Sequence, residues 1–125
     1  MDNENSYLKH LVGKAVTKTQ MTTSTTFALE NNKTDKSDPR MEIALGIFFE
    51  DFYLEIYNPI EIIPSDKGLD DFRGLTVVVA KEDNDEAGLI FNNGYKILIN
   101  MRDEAYYGPE AMYLSGPDNF FVVWN

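Results

Sequence analysis

The segment that most constrains this chain runs from residue 89 to residue 101: Leu-Ile-Phe-Asn-Asn-Gly-Tyr-Lys-Ile-Leu-Ile-Asn-Met. Two apolar runs flank Asn93-Gly94. A two-residue turn of type I′ needs φ > 0 at both central residues, which Asn and Gly tolerate. The pattern predicts a hairpin that pairs Asn92 with Tyr95, Ile90 with Ile97 and Leu89 with Leu98. In that register Ile90, Ile97, Ile99 and Met101 share one face, and Leu89, Phe91 and Leu98 the other. Both faces are largely apolar, so the hairpin is expected inside a sheet and not at its edge.

The pattern has an earlier copy. Residues 47–58 (Ile-Phe-Phe-Glu-Asp-Phe-Tyr-Leu-Glu-Ile-Tyr-Asn) lie on residues 89–100 at an offset of 42, matching Phe49 to Phe91, Tyr53 to Tyr95, Ile56 to Leu98 and Asn58 to Asn100. Asp51 then stands at Asn93, but Phe52 replaces Gly94. An aromatic residue resists φ > 0, so this first turn should be looser or of another type. Further upstream, Leu8-x-x-Leu11-Val12-Gly13-Lys14-x-Val16 matches Leu69-x-x-Phe72-Arg73-Gly74-Leu75-x-Val77 at an offset of 61. The first unit therefore carries 61 − 42 = 19 extra residues. Two related units emerge, 7–63 and 68–101, each a Gly-ended turn or helix, a strand and a hairpin, followed by a C-terminal hairpin at 102–125. Two copies make one compact domain, not a solenoid.

A length of 125 residues fits that single domain, 1–125. Ser6 can cap a short helix with Tyr7, Leu8, Leu11 and Val12 at helical spacing. The Thr-rich stretch 15–30 reads as one long strand or two. Residues 31–40, with Pro39, read as a polar loop. The expected fold is mainly β with minor α, an α+β arrangement being the alternative: about seven or eight antiparallel strands, related by a pseudo-twofold through the duplication.

Several chemistries are excluded early. There is no cysteine, hence no disulfide, thiolate metal site or cysteine nucleophile. His10 is the only histidine. It sits beside Lys9 and reads as a surface residue, which argues against nucleophile–base triads. No apolar run approaches the ~18 residues of a membrane span, and the polar, acidic start is unlike a signal peptide. A cytoplasmic protein is expected, with no membrane partner.

The net charge of −10 is uneven. Residues 1–40 carry six basic and five acidic side chains; residues 41–125 carry the other five basic and sixteen acidic ones, a net of −11. Such a field repels nucleic acid and favours a basic partner. Its sharpest concentration is Lys81-Glu82-Asp83-Asn84-Asp85-Glu86, which lacks the Gly and the twelve-residue frame of a calcium loop and reads as an acidic hairpin tip. Glu82, Asp83, Asp85 and Glu86, with Glu50 and Asp51 of the first turn, are the partner-binding candidates. Glu104 and Glu110 have the residue types of a glycosidase pair, and Tyr106, Tyr107 and Trp124 those of a sugar-stacking surface. Neither pattern points to catalysis strongly enough to assign a catalytic, cofactor or metal residue, and a non-enzymatic binding protein is expected.

Arg102-Asp103-Glu104-Ala105-Tyr106-Tyr107-Gly108-Pro109-Glu110-Ala111-Met112, then Ser115-Gly116-Pro117 and Val122-Val123-Trp124-Asn125, resemble a group of small bacterial immunity proteins of contact-dependent inhibition and related polymorphic toxin systems. So does the paired layout of leucine–glycine, strand and hairpin. The resemblance implies a cytosolic protein that binds and blocks one cognate toxin C-terminal domain, many such toxins being basic nucleases. An acidic inhibitor suits that partner physically. The alternative is a small-ligand or carbohydrate-binding β domain.

Overall fold

The computed structural model describes residues 6–24, 42–106 and 110–125. Among them run nine strands: β1 (Val16–Ser24), β2 (Glu42–Phe49), β3 (Tyr53–Ile56), β4 (Ile60–Ile63), β5 (Val77–Glu82), β6 (Glu86–Phe91), β7 (Lys96–Asn100), β8 (Met112–Ser115) and β9 (Phe121–Trp124). The expected minor helix takes the form of three short 3-10 segments: η1 (Tyr7–Leu11), η2 (Leu69–Phe72) and η3 (Asp103–Ala105). No helix of the described residues is long and apolar enough to cross a membrane. The 31–40 loop and the far end of the Thr-rich stretch lie outside the described residues.

All pairings between strands are antiparallel, in two sheets ordered β1-β2-β3-β8-β9 and β4-β7-β6-β5. Each sheet begins with one unit's meander, β1-β2-β3 or β5-β6-β7. The strand after each meander crosses over: β4 leaves β3 to pair with β7, and β8 leaves β7 to pair with β3. The second unit thus extends through β8, and β9 has no counterpart.

The two meanders meet in a set of reciprocal backbone bonds. Gly13 N–H donates to Val77 O and Gly74 N–H to Val16 O, both at 2.8 Å. Val16 N–H donates to Leu75 O and Val77 N–H to Lys14 O, at 2.9 and 3.1 Å. Each bond of a pair maps onto the other at the 61-residue offset, and the bridge Ala15–Thr76 joins two residues separated by that same offset. Antiparallel pairing of equivalent residues is what a twofold axis requires. The ladder irregularities also correspond, falling at Val16/Lys18 and at Val77/Val79.

The 89–101 hairpin lies inside its sheet, as expected, but its register differs by one residue. Leu89 faces Ile97 and Ile90 faces Lys96. Only Gly94 has φ > 0 (+95°); Asn93 does not. Gly94 N–H donates to Phe91 O (2.8 Å) and Phe91 N–H to Tyr95 O (2.9 Å), so the loop has three residues, with Gly94 in the bulge position that a type I turn leaves for a left-handed residue. The hydrophobic pattern decides this. The extra residue puts Leu89, Phe91, Ile97, Ile99 and Met101 on one buried face and moves Lys96 to the outside; a one-residue slip exchanges the faces of a strand.

In the first hairpin Phe49 N–H donates to Phe52 O (2.7 Å), so Glu50 and Asp51 are its central residues and Phe52 needs no positive φ. The last hairpin is the one with consecutive left-handed residues, Asp118 (φ 60°) and Asn119 (φ 67°).

Both sheets and η1 and η2 contribute to one core, which includes Leu8, Leu11, Ile47, Leu54, Phe72, Phe91, Ile97 and Met112. The alternate residues of every strand face outward. These outward faces carry the candidate sites.

Candidate functional site

Two faces related by the pseudo-twofold offer different chemistry. On the four-stranded sheet, the row Lys81, Gly88, Leu98, Glu61 runs across β5, β6, β7 and β4. Beside it lies a cleft of about 440 Å³ lined by Pro59, Ile60, Glu61, Asp83, Asp85, Glu86, Leu98, Asn100 and Arg102. Four carboxylates and one guanidinium make it strongly acidic. The structure thus brings together Asp83, Asp85 and Glu86 of the sequence candidates and adds Glu61, a lone acid between isoleucines that no charge run marks. Glu61 and Glu86 are exposed and have no partner among the described residues. Asp85 is ion-paired with Arg102 (3.6 Å), both well exposed, so the pair adds little stability.

Asp83 is a turn-building residue. Its Oδ1 accepts from the backbone N–H of Asp85 (2.8 Å) and of Glu86 (2.9 Å), and these donors hold its carboxyl below the ordinary carboxylate range. Glu82 is half-buried, with both carboxylate oxygens engaged. Ser6 Oγ donates to its Oε1 (2.7 Å) and Trp124 Nε1 to its Oε2 (2.9 Å). Ser6, 5% exposed, also caps η1 by accepting from Leu8 N–H (3.0 Å). The carboxylate thus ties the start of the described chain and the last strand to β5. Reading Glu82 as part of a charge run missed this, because its two partners are distant in sequence.

Glu50 and Asp51 lie on the other sheet. Asp51 is ion-paired with Lys14 (3.2 Å), whose Nζ is also 5.8 Å from the Phe52 ring centroid. Their turn abuts the β8–β9 turn, where a Cβ on Gly116 would meet the Phe52 ring, while Glu82 touches Trp124 at the far end of β9. The six candidates do not form one surface. Glu104 is exposed and Glu110 half-buried, on either side of residues outside the described set. Tyr107 lies in that gap. Trp124 has its indole N–H engaged and packs edge-on to Tyr7 (6.5 Å), so it is a pin and not an open stacking platform. His10 is on the surface as expected, its ring 4.8 Å from Phe120 and 6.0 Å from Phe52. Among the described residues, no three His, Asp or Glu side chains converge closely enough to hold a metal ion.

The outward face of the five-stranded sheet carries the corresponding row Gln20, Gly46, Glu55, Tyr113, Val123. Here Glu55 sits among three phenols. Its Oε1 accepts from Tyr53 (2.6 Å) and Tyr113 (3.3 Å), and its Oε2 from Tyr57 (2.8 Å). Partial burial, then the Glu55 bond and charge, push Tyr53 and Tyr57 far above the ordinary phenol range; burial and Glu55 raise Tyr113 as well. Gly46 makes room for this cluster: a Cβ there would lie 2.6 Å from Tyr53 Oη. Tyr53-x-Glu55-x-Tyr57 is visible in the sequence as a period-two stripe. Tyr113 joins it only through the crossover of β8.

Compared with known proteins, the chain matches no family model, no curated protein and no solved structure. Its candidate sites therefore stand on their own geometry.

Proposed function

We propose that this chain is a non-enzymatic binding protein, a bacterial immunity protein that neutralises a cognate basic, nuclease-type toxin domain by direct binding in the cytoplasm. The observation that supports this is the acidic cleft, in which Glu61 and Glu86 are exposed and have no partner among the described residues, in a chain of net charge −10. Opposite fields accelerate encounter, and charges placed around a concave surface set orientation and specificity. The contact set on this reading is Glu61, Asp85 and Glu86. Asp83 holds the turn that presents them. Glu82 belongs to the scaffold, and Glu50 and Asp51 can contribute only as a separate contact from the other sheet.

Co-purification with the product of the neighbouring gene, at low salt, tests the class. A stoichiometric complex that weakens as salt rises is expected. Replacing Glu61 and Glu86 by Lys should slow association about tenfold, with little change in the melting temperature. An unchanged association rate would remove the cleft from the interface. Failure to bind the toxin domain would discard the immunity reading in favour of small-ligand binding, to be sought by thermal shift across a sugar and metabolite panel.

A further inference from the structure

We propose that the outward face of the five-stranded sheet, centred on Glu55, is a docking surface for an arginine-bearing segment of a partner protein. The inference concerns a face on the other sheet and does not depend on what the acidic cleft binds.

The face is an aromatic platform. Phe48 and Tyr53 have ring centroids 4.4 Å apart, Tyr53 and Tyr113 6.0 Å, and Tyr113 and Phe121 5.3 Å. The rings span β2, β3, β8 and β9, roughly 14 Å at ordinary strand spacing. Phe121 is 59% exposed.

Its hydrogen-bonding character is one-sided. A phenol offers one proton and two lone pairs. The protons of Tyr53, Tyr57 and Tyr113 all go to Glu55. Toward a visitor the cluster presents phenol lone pairs, a carboxylate already negative, and the negative faces of the rings. Such a surface rewards donors and cations and repels anions.

The chain itself demonstrates the preference. Lys18, at the neighbouring edge on β1, turns onto this face and places its ammonium 5.3 Å from the Phe48 centroid. The rings further along, toward Tyr113 and Phe121, have no cation of the described residues over them. A guanidinium suits that part better than an ammonium. It is planar, so it stacks on a ring, and its five donors reach phenol and carboxylate oxygens together.

The test uses three capped seven-residue peptides, Gly-Arg-Gly-Arg-Gly-Arg-Gly and its Lys and Glu counterparts, titrated into the full chain at low salt and followed by amide and aromatic NMR shifts. The Arg peptide should move Glu55, Tyr113 and Phe121 resonances saturably and bind several-fold tighter than the Lys peptide; the Glu peptide should move none. Glu55→Gln should weaken Arg-peptide binding about tenfold. Phe121→Ser, at an exposed position outside the hydrogen-bonded cluster, should weaken it several-fold while leaving the fold intact. Equal affinity for the Arg and Lys peptides, shifts confined to the acidic cleft, or unchanged binding in both variants would each overturn the proposal.

Discussion

Leu89 faces Ile97 across the β6–β7 hairpin, and both side chains are fully buried. That pairing exists because the loop has three residues with Gly94 at φ +95°. With a two-residue loop, Leu89 would face Leu98, and the two strands would send their apolar residues to different sides.

Gly94→Ala should therefore lower stability by about 1–2 kcal/mol, the cost of an L side chain in the left-handed region. Asn93→Ala should cost less, about 1 kcal/mol, because it removes only the Oδ1 acceptor of Tyr95 N–H (3.0 Å) and leaves an unstrained backbone. Urea unfolding separates the two. A larger loss at Asn93 would restore the two-residue turn.

The Glu82 carboxylate is the acceptor for two distant donors, so its removal should be felt at both. Glu82→Ala should destabilise by about 2–3 kcal/mol, since charge-assisted bonds in partly buried sites are worth more than neutral ones. Trp124 is the only tryptophan, and its emission should move to longer wavelength as β9 loosens. Glu82→Gln, which keeps one carbonyl acceptor, should lie between the two proteins. Wild-type emission in Glu82→Ala would show that packing alone holds the indole.

Gly46 is under the Tyr53 ring, where a Cβ would meet Oη at 2.6 Å and Cζ at 3.1 Å. Gly46→Ala should cost about 1–3 kcal/mol by overpacking and break the Tyr53–Glu55 bond. Adding Tyr53→Phe should recover part of the loss, because it removes the nearest clashing atom, giving a non-additive cycle. Strict additivity would mean that the ring swings aside without cost.

The tyrosines set an alkaline limit. Tyr53, Tyr57 and Tyr113 bind their protons more tightly when folded than at the ordinary phenol value of 10.0. Between those values the folded state holds more protons than the unfolded state, so unfolding becomes easier as pH rises. Their contribution is fully present below about pH 10 and is lost as pH climbs through the raised folded values. Phenolate absorbance at alkaline pH should show Tyr53, Tyr57 and Tyr113 ionising late, together with unfolding. Glu55→Gln should bring that step to lower pH. An unmoved step would leave burial as the whole cause.

Local rules made some of the site legible. The period-two stripe Tyr53, Glu55, Tyr57 and the acids of residues 82–86 are plain in the sequence. Their roles were not, because Glu82 reads as one more charge until Ser6 and Trp124 are brought to it from 76 and 42 residues away. Glu61 gave no signal among isoleucines, and Tyr113 none among the residues of the last hairpin.

The β class, the match between residues 47–58 and 89–100 and a hairpin interior to a sheet are all legible along the chain. These follow from alternation, turn chemistry and internal similarity, which act over a few residues or repeat along the chain. The register of the β6–β7 hairpin, the exchange of β4 and β8 between sheets, and the assembly of one acidic and one aromatic face from equivalent rows emerge with the folded whole. Those depend on burying both units in one core. Such a choice is made by apolar area distributed over the whole molecule, and no single segment encodes it.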